Sequence, residues 1–326
     1  MTTQINTNIN TKIKSIQAPG AVVMIRPHHF HPNPETAADN AFQSTDTSSS
    51  KQAIAALARD EVSAAAAALG AAGVKVHVFD DFGEQQTPDS VFPNNWFSTH
   101  SGGHVAIYPM YSANRRRERR SDVIEMLKAE YRVQDVIDYS GLEYDGLFLE
   151  GTGAMVLDHL DRVAYTARSN RANAVALERF CTHFNFEPMA FSSADSAGCP
   201  IYHTNVLMCI GTEFALIGLD MITDPVRRSE IQARLQQTGR EVIALDERQI
   251  NEFAGNAIEL STDTGRLLAM SARAAASLKP EQIAIIERSA RILPLSIPTI
   301  ELAGGSVRCM LAGIHLARRH QTASSS

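Results

Sequence analysis

The chain has 326 residues, an apolar fraction of 44%, a charged fraction of 20% and a net charge of −6. This is the balance of a globular protein with a substantial core. Its acidic sign, relieved only by the run Arg115 to Arg120, argues against nucleic acid as a partner. The four cysteines form no CxxC pair and no zinc-type spacing, which argues against a disulfide framework or structural zinc and points to a reducing compartment. The first residues lack the basic and apolar regions of a signal peptide, and no apolar run is long enough to span a membrane. Cytoplasmic location, with no membrane partner, is the expectation.

Residues 1–16 are Asn/Thr-rich and read as a mobile arm, residues 319–326 as a polar tail, and residues 17–318 as one domain, since no long linker divides them. Asp46 to Lys51 is a polar loop leading into a helix. Periodicity predicts a strand over 22–26, an Ala-rich helix over 52–69 and a strand over 74–79. A hairpin of 96–99 and 105–108 follows, then a basic helix over 115–130 and a strand over 133–137. Strands over 154–157 and 163–166 precede a helix over 172–184. Strands over 206–210 and 214–218 precede a helix over 225–237 and a strand over 241–245. Strands over 257–260 and 267–270 precede a helix over 280–288. Short strands over 292–294 and 310–315 remain to close a circle, and 297–302 reads as one more apolar strand. The unit of strand, strand, helix, strand thus recurs about five times, the first copy lacking its start, which suggests a repeat architecture.

Cys309 follows the turn Gly304-Gly305, where glycine lets backbone come close to a ligand. Two segments offer partners: Leu149-Glu150-Gly151-Thr152-Gly153 and Tyr202-His203-Thr204-Asn205. Cysteine, histidine and a carboxylate can act as nucleophile, base and orienter. Each residue also has a plainer reading. Cys309 alone would be a small buried hydrophobe, His203 a hydrogen-bonded histidine at a strand edge, and Glu150 half of a structural salt bridge. Cys181 and Cys209 read as core and Cys199 as a loop residue. His28, His29 and His31 look like a metal cluster, but no third convergent ligand is evident, so no metal and no cofactor is expected. Arg115 to Arg120 reads as a solvated helix face from which one arginine could enter a pocket. Gly151-Thr152-Gly153 lacks the GK[ST] of a phosphate loop.

Five motifs occur in order: Phe92-Pro93-Asn94-Asn95-Trp96, Leu149 to Gly153, Ser169-Asn170-Arg171, Tyr202 to Asn205, and Gly304 to Cys309. In this order they resemble the guanidine-modifying superfamily of dimethylarginine hydrolases, arginine deiminases, amidinotransferases and arginine dihydrolases, over about Ala18 to Arg318. The resemblance is nearest to its citrulline-utilisation hydrolase branch. It implies an α/β fold, a five-bladed pseudo-fivefold propeller (the pentein fold) with the active site on the axis. It also implies Cys309 as nucleophile, His203 as acid/base and Glu150 as the carboxylate that orients His203. Arg171 then matches the arginine that holds a substrate α-carboxylate. Asn94 and Asn95 stand where many relatives carry an acidic pair gripping the guanidinium, and Asn40 falls near an asparagine beside the reacting group.

The two asparagines bear on the substrate. A guanidinium is cationic and only donates hydrogen bonds, so a carboxylate suits it. An asparagine offers one acceptor and two donor hydrogens, which complements the carbonyl and NH groups of a ureido group. The expected reaction is hydrolysis of a linear ureido or amidino C–N bond, citrulline to ornithine first. Arginine dihydrolase or deiminase, amidinotransferase and a non-catalytic amino-acid sensor are the alternatives. The expected partner is a small amino acid, and a homo-oligomer stays open.

Overall fold

In the computed structural model, which describes residues 16–37, 40–44 and 50–319, five three-stranded sheets follow one another along the chain. The expected arm (apart from Ile16), most of the loop 46–51, and all of the tail but Arg319 lie outside the described residues. Strand β1 (Ala21–Pro27) pairs in parallel with β2 (Lys75–Asp81) across helix α1 (Lys51–Ala71). Helix α1 forms because Ile54, Ala58, Val62, Ala65 and Leu69 recur at helical spacing on one buried face. Ser50 starts it by accepting a hydrogen bond from the Ala53 N–H.

The next sheets share one pattern: an antiparallel hairpin, a helix, then a third strand parallel to the second. The second sheet runs β3 (Phe97–His100), β4 (His104–Ile107), α2 (Ser121–Glu130), β5 (Asp135–Asp138). The third is the short turn α3 (Gly151–Ala154), β6 (Met155–Asp158), β7 (Val163–Ala167), α4 (Ala174–Phe184), β8 (Glu187–Phe191). The fourth is α5 (Thr204–Leu207), β9 (Met208–Ile210), β10 (Phe214–Ile217), α6 (Pro225–Gln236), β11 (Glu241–Ala244). The fifth is α7 (Glu247–Asn251), β12 (Ile258–Thr262), β13 (Gly265–Ser271), α8 (Ala272–Ser277), α9 (Pro280–Ile286), β14 (Ala290–Leu295). Finally α10 (Val307–Met310) leads into β15 (Ala312–Gly313), which pairs antiparallel with β1 and supplies the hairpin partner that the first unit lacks. No helix among the described residues is long and apolar enough to cross a membrane.

Five expectations need correction. The segment 297–302 is not a strand. Pro298 has no N–H to give a ladder, and the Thr299 and Ile300 N–H groups go to the Glu61 carboxylate. The chain there turns into a 3-10 helix, Ile300–Ala303. Val206 and Leu207 belong to the turn α5, not to the strand that follows. The short strand 292–294 does not close the circle; as β14 it completes the β12–β13 sheet. The basic helix over 115–130 is two pieces, a 3-10 helix Asn114–Glu118 and α2, separated by extended Arg119 and Arg120. Nor do its arginines form one solvated face, although Arg117 is exposed. Arg119 reaches Tyr108 O and Glu143, Arg117 holds the Gln85 and Gln86 carbonyls, and Arg115 is buried.

One feature of each unit positions the site. Just before the first strand of each hairpin the chain makes a tight turn: Pro93–Asn95 before β3, α3 before β6, α5 before β9, residues 252–256 before β12, and α10 before β15. These turns pack on one another, α3 against Pro93–Asn95 and α5, and α10 against Pro93–Asn95. Residues far apart in sequence therefore meet at one place.

Candidate active site

The convergent turns enclose a small cavity lined by Thr36, Asn40, Asp89, Phe92, Asn95, Arg115, Arg171, Tyr202, His203, Ala303, Gly305 and Cys309. Glu150, the residue before α3, has no exposed surface. Its Oε1 accepts from the Tyr111 N–H at 3.0 Å. Its Oε2 meets His203 Nε2 at 2.8 Å, Arg171 Nη1 at 3.5 Å and Arg115 Nη1 at 3.7 Å. Burial alone would raise the Glu150 carboxyl, but the charges of Arg171 and Arg115 and the bond from His203 outweigh it. The group is held well below the usual carboxylate range.

His203 enters from the N-terminus of α5. Burial pulls its pKa down to about 4, and Arg171 and Arg115 push the same way against the Glu150 carboxylate. At neutral pH the imidazole is therefore uncharged. A carboxylate only accepts, so His203 Nε2 carries the hydrogen and Nδ1 is left as a basic nitrogen. Gly153 makes this approach feasible. A Cβ there would clash with the end of the Asn95 amide and lie 2.9 Å from His203 Nδ1. Tyr202 packs against the His203 ring at 4.6 Å, lies under the Arg171 guanidinium at 5.0 Å, and donates its hydroxyl hydrogen to Gly304 O.

Cys309 lies in α10, 2% exposed, its Sγ receiving hydrogen bonds from Asn205 Nδ2 at 3.2 Å and Asn256 Nδ2 at 3.3 Å. Asn95 faces Arg115. With its amide oxygen toward the guanidinium it accepts from Nη2 at 3.0 Å and Nη1 at 3.1 Å. Asn94 does not line the cavity. It stands behind Asn95, its Oδ1 3.3 Å from the Asn95 amide nitrogen in that orientation. Asn40 does line the cavity, but its side chain is engaged, Nδ2 donating to Ala303 O and Oδ1 accepting from Phe42 N. Gly304, in the left-handed region at φ 79°, leaves room for it.

Asp89 escapes the sequence reading of this cavity, and Arg115 is the arginine of the 115–120 run that enters it. Asp89 is buried, accepts from Asn33 Nδ2 at 2.8 Å, and among the described residues has no hydrogen-bond partner for Oδ1. Burial raises its pKa against the pull of Arg115 and Asn33. Arg115 is bidentate on Glu118 at 2.8 and 2.9 Å, and also lies 3.7 Å from Asp89. The signal for Asp89 was a lone carboxylate three residues before the apolar Phe92-Pro93 motif. Nothing in Arg115-Arg116-Arg117 distinguishes the first arginine from its neighbours. Of the arginines that neighbour Arg171 and Cys309 in sequence, Arg168 is exposed and Arg308 does not line the cavity. In the histidine segment, His28 pairs with Asp80 at 2.9 Å and His31 with Pro32 O. Cys181 and Cys209 are buried and Cys199 is exposed.

Comparison with known proteins adds family and fold. Residues 26–316 match the family model described as N,N dimethylarginine dimethylhydrolase, eukaryotic. Comparison with curated proteins gives no match. Among solved structures, the chain is similar to a mutant N-terminal domain of ArgZ bound to substrate, from an arginine dihydrolase of the ornithine–ammonia cycle in cyanobacteria. The TM-score is 0.69 and the identity 15%, over 91% of this chain and 98% of that one. Unliganded AgrE gives 0.70 and 16%, over 92% of this chain, which spans only 40% of AgrE. A dimethylarginine hydrolase from Pseudomonas aeruginosa, a mutant complexed with citrulline, gives 0.59 and 14%, over 93% and 100%. At such identities these likenesses show the fold, and the α/β architecture of five three-stranded sheets is theirs. With nearly the whole domain matched by the family model, the chain belongs to the N,N-dimethylarginine dimethylhydrolase family of the guanidine-modifying superfamily, a family of hydrolases acting on guanidino C–N bonds.

Proposed function

We propose that the protein hydrolyses a C–N bond of the side-chain ureido or guanidino group of a free amino acid, in the first instance the bond from the ureido carbon to the δ-nitrogen of citrulline, giving ornithine, ammonia and carbon dioxide. The observation that carries this reading is the meeting of Cys309, the His203–Glu150 pair and Asn95 at one buried cavity. The amino-acid end is read at the other groups of the cavity. Arg171 and Arg115 suit an α-carboxylate, and the unpartnered Oδ1 of Asp89 suits an α-ammonium. The lining residues nearest in kind to the reacting group, Asn95 and Asn40, are neutral amides. An uncharged ureido group loses less water on entering such a place than a guanidinium does. The five sheets and the pairing of β15 with β1 support a five-bladed propeller with this cavity on its axis. Four free cysteines support a reducing compartment such as the cytoplasm.

In this mechanism Cys309 gives its proton to neutral His203 and attacks the ureido carbon as thiolate. The imidazolium, paired with Glu150, protonates the departing δ-nitrogen, and ornithine leaves. A thiocarbamoyl group stays on Cys309. His203, neutral again, takes a proton from water, which attacks the thioester-like carbon and restores the thiol. The released carbamate decomposes to ammonia and carbon dioxide. A second reading, arginine carried through citrulline to ornithine, is favoured by the likeness to the cyanobacterial arginine dihydrolase.

The test is to incubate the purified protein separately with citrulline, arginine, dimethylarginine and agmatine and to identify the products. Ornithine with ammonia from citrulline supports the first reading. Ornithine from both citrulline and arginine selects the second. Citrulline accumulating from arginine or dimethylarginine, with added citrulline untouched, overturns both.

A further inference from the structure

We infer that Asn205 and Asn256 form a two-amide seat that stabilises the Cys309 thiolate from the side away from the cavity; this rests on the reading of Cys309 as nucleophile. Both residues are fully buried, and neither lines the cavity. They leave the cavity side of the sulfur open to a substrate. The orientation of Asn256 is fixed by its neighbours. Its Oδ1 accepts from the Ser306 N–H at 3.1 Å and its Nδ2 donates to Asn205 O at 2.9 Å, so the amino group must be the end that meets Sγ. Asn256 thereby ties the turn before β12 to α5 and α10. A purely structural role accounts for Asn256, but not for Asn205. Among the described residues, the only hydrogen bond of the Asn205 side chain is the one to Sγ, and its buried Oδ1 has no partner there. A core position that wanted only packing would be better filled by an apolar residue.

An N–H donor binds a thiolate more strongly than a thiol and so favours the charged form. The groups that face Cys309 do not supply a cation in contact with it. On the cavity side stand Asp89, Arg115, Arg171, Tyr202 and neutral His203. Arg115 is engaged by Glu118 and Arg171 lies at Glu150. Behind the sulfur is Arg308, which donates to Leu311 O. Two aimed amide dipoles thus do here what a neighbouring positive charge does in other thiol sites.

The test is the rate of Cys309 alkylation by iodoacetamide in the full chain, read by peptide mass mapping so that exposed Cys199 is counted separately. In this reaction the S–C bond forms, iodide leaves, and the thiol proton goes to buffer. Asn205→Ala removes no other side-chain hydrogen bond. It is expected to slow alkylation at neutral pH at least about tenfold. Asn256→Asp keeps the acceptor for Ser306 but turns an acceptor toward the sulfur, and is expected to slow it more. Alkylation within about twofold of wild type in folded Asn205→Ala overturns the proposal, whether or not Asn256→Asp folds. No turnover is needed, so absence of citrulline or arginine hydrolysis would count against the functional reading and leave this result standing.

Discussion

Glu150 keeps its charge with no exposure to water because two arginines and a histidine surround it, and that charge holds His203 with Nδ1 free as a base. Three predictions belong to single residues. Cys309→Ala should abolish turnover with the fold intact, and Cys309→Ser should be nearly as poor, since a hydroxyl is the weaker nucleophile. Activity within about tenfold of wild type, a barrier change of only about 1.4 kcal/mol, would refute covalent catalysis by Cys309. Arg171→Ala and Arg115→Ala should each raise KM for substrates with an α-carboxylate. Agmatine, which lacks it, should keep its KM; Arg171→Ala should also lower kcat for both, because Arg171 helps keep Glu150 ionised. Equal KM losses for both substrates would show that these arginines do not read the carboxylate. His203 is neutral above about pH 4, so kcat/KM should stay high as pH falls from 7 and decline only as His203 protonates near that value. A midpoint near the ordinary histidine value of about 6.5 would contradict the burial argument. Cys309, His203 and Glu150 could be singled out because glycines and apolar runs stand beside them in sequence, and the structure brings Cys309 and His203 to one cavity with Glu150 against His203. Arg115 could not be singled out, because which arginine of a run turns inward depends on Glu118, Asp89 and Glu150 meeting it in space.

At the scale of elements, the site is built by turns of three to five residues rather than by long helices or strands. Such turns fit only where side chains are missing. Gly153→Ala puts a Cβ into contact with Asn95 and His203, neither of which can retreat without losing its own partner. We expect kcat/KM to fall by about a hundredfold or more, from displacement of the base, and an unchanged value would place His203 outside the chemistry. The hairpins and long helices were legible from period and composition. The short turns α3, α5 and α10 were not, since four residues carry no periodicity; the strand expected over 206–210 began two residues late for that reason. Strand β8 was missed because Pro188 breaks the β-pattern of Glu187–Phe191, which still pairs with β7.

For the molecule as a whole, the fivefold recurrence was legible as spacing alone, and β15 pairing with β1 explains why the first unit looked incomplete. What spacing did not reveal is a second buried group of histidines. His100 and His159 are almost unexposed, and His159 stacks on His315 at 3.8 Å. Burial first, and then neighbouring His315 and Arg162, push both His100 and His159 well below the ordinary histidine value. Below about pH 6.5 the unfolded chain binds protons that these folded rings refuse, so stability falls with pH by about 1.4 kcal/mol per unit for each such ring. His159→Phe keeps the stack and removes one of them. Denaturant unfolding between about pH 6 and pH 4.5 should show a slope smaller by about that amount. Parallel curves for the two proteins would mean that His159 is not held neutral.

The most direct test of the central claim, that this cavity acts on an uncharged ureido amino acid, is kcat/KM for citrulline and for arginine at one pH in wild type and Asn95→Asp. Wild type should process citrulline at least as well as arginine. The substitution should reverse the order, because the new carboxylate attracts a guanidinium and opposes a ureido carbonyl, a shift on the order of a hundredfold in the ratio. An unchanged preference, or a wild type that turns arginine into free citrulline and goes no further, would contradict it.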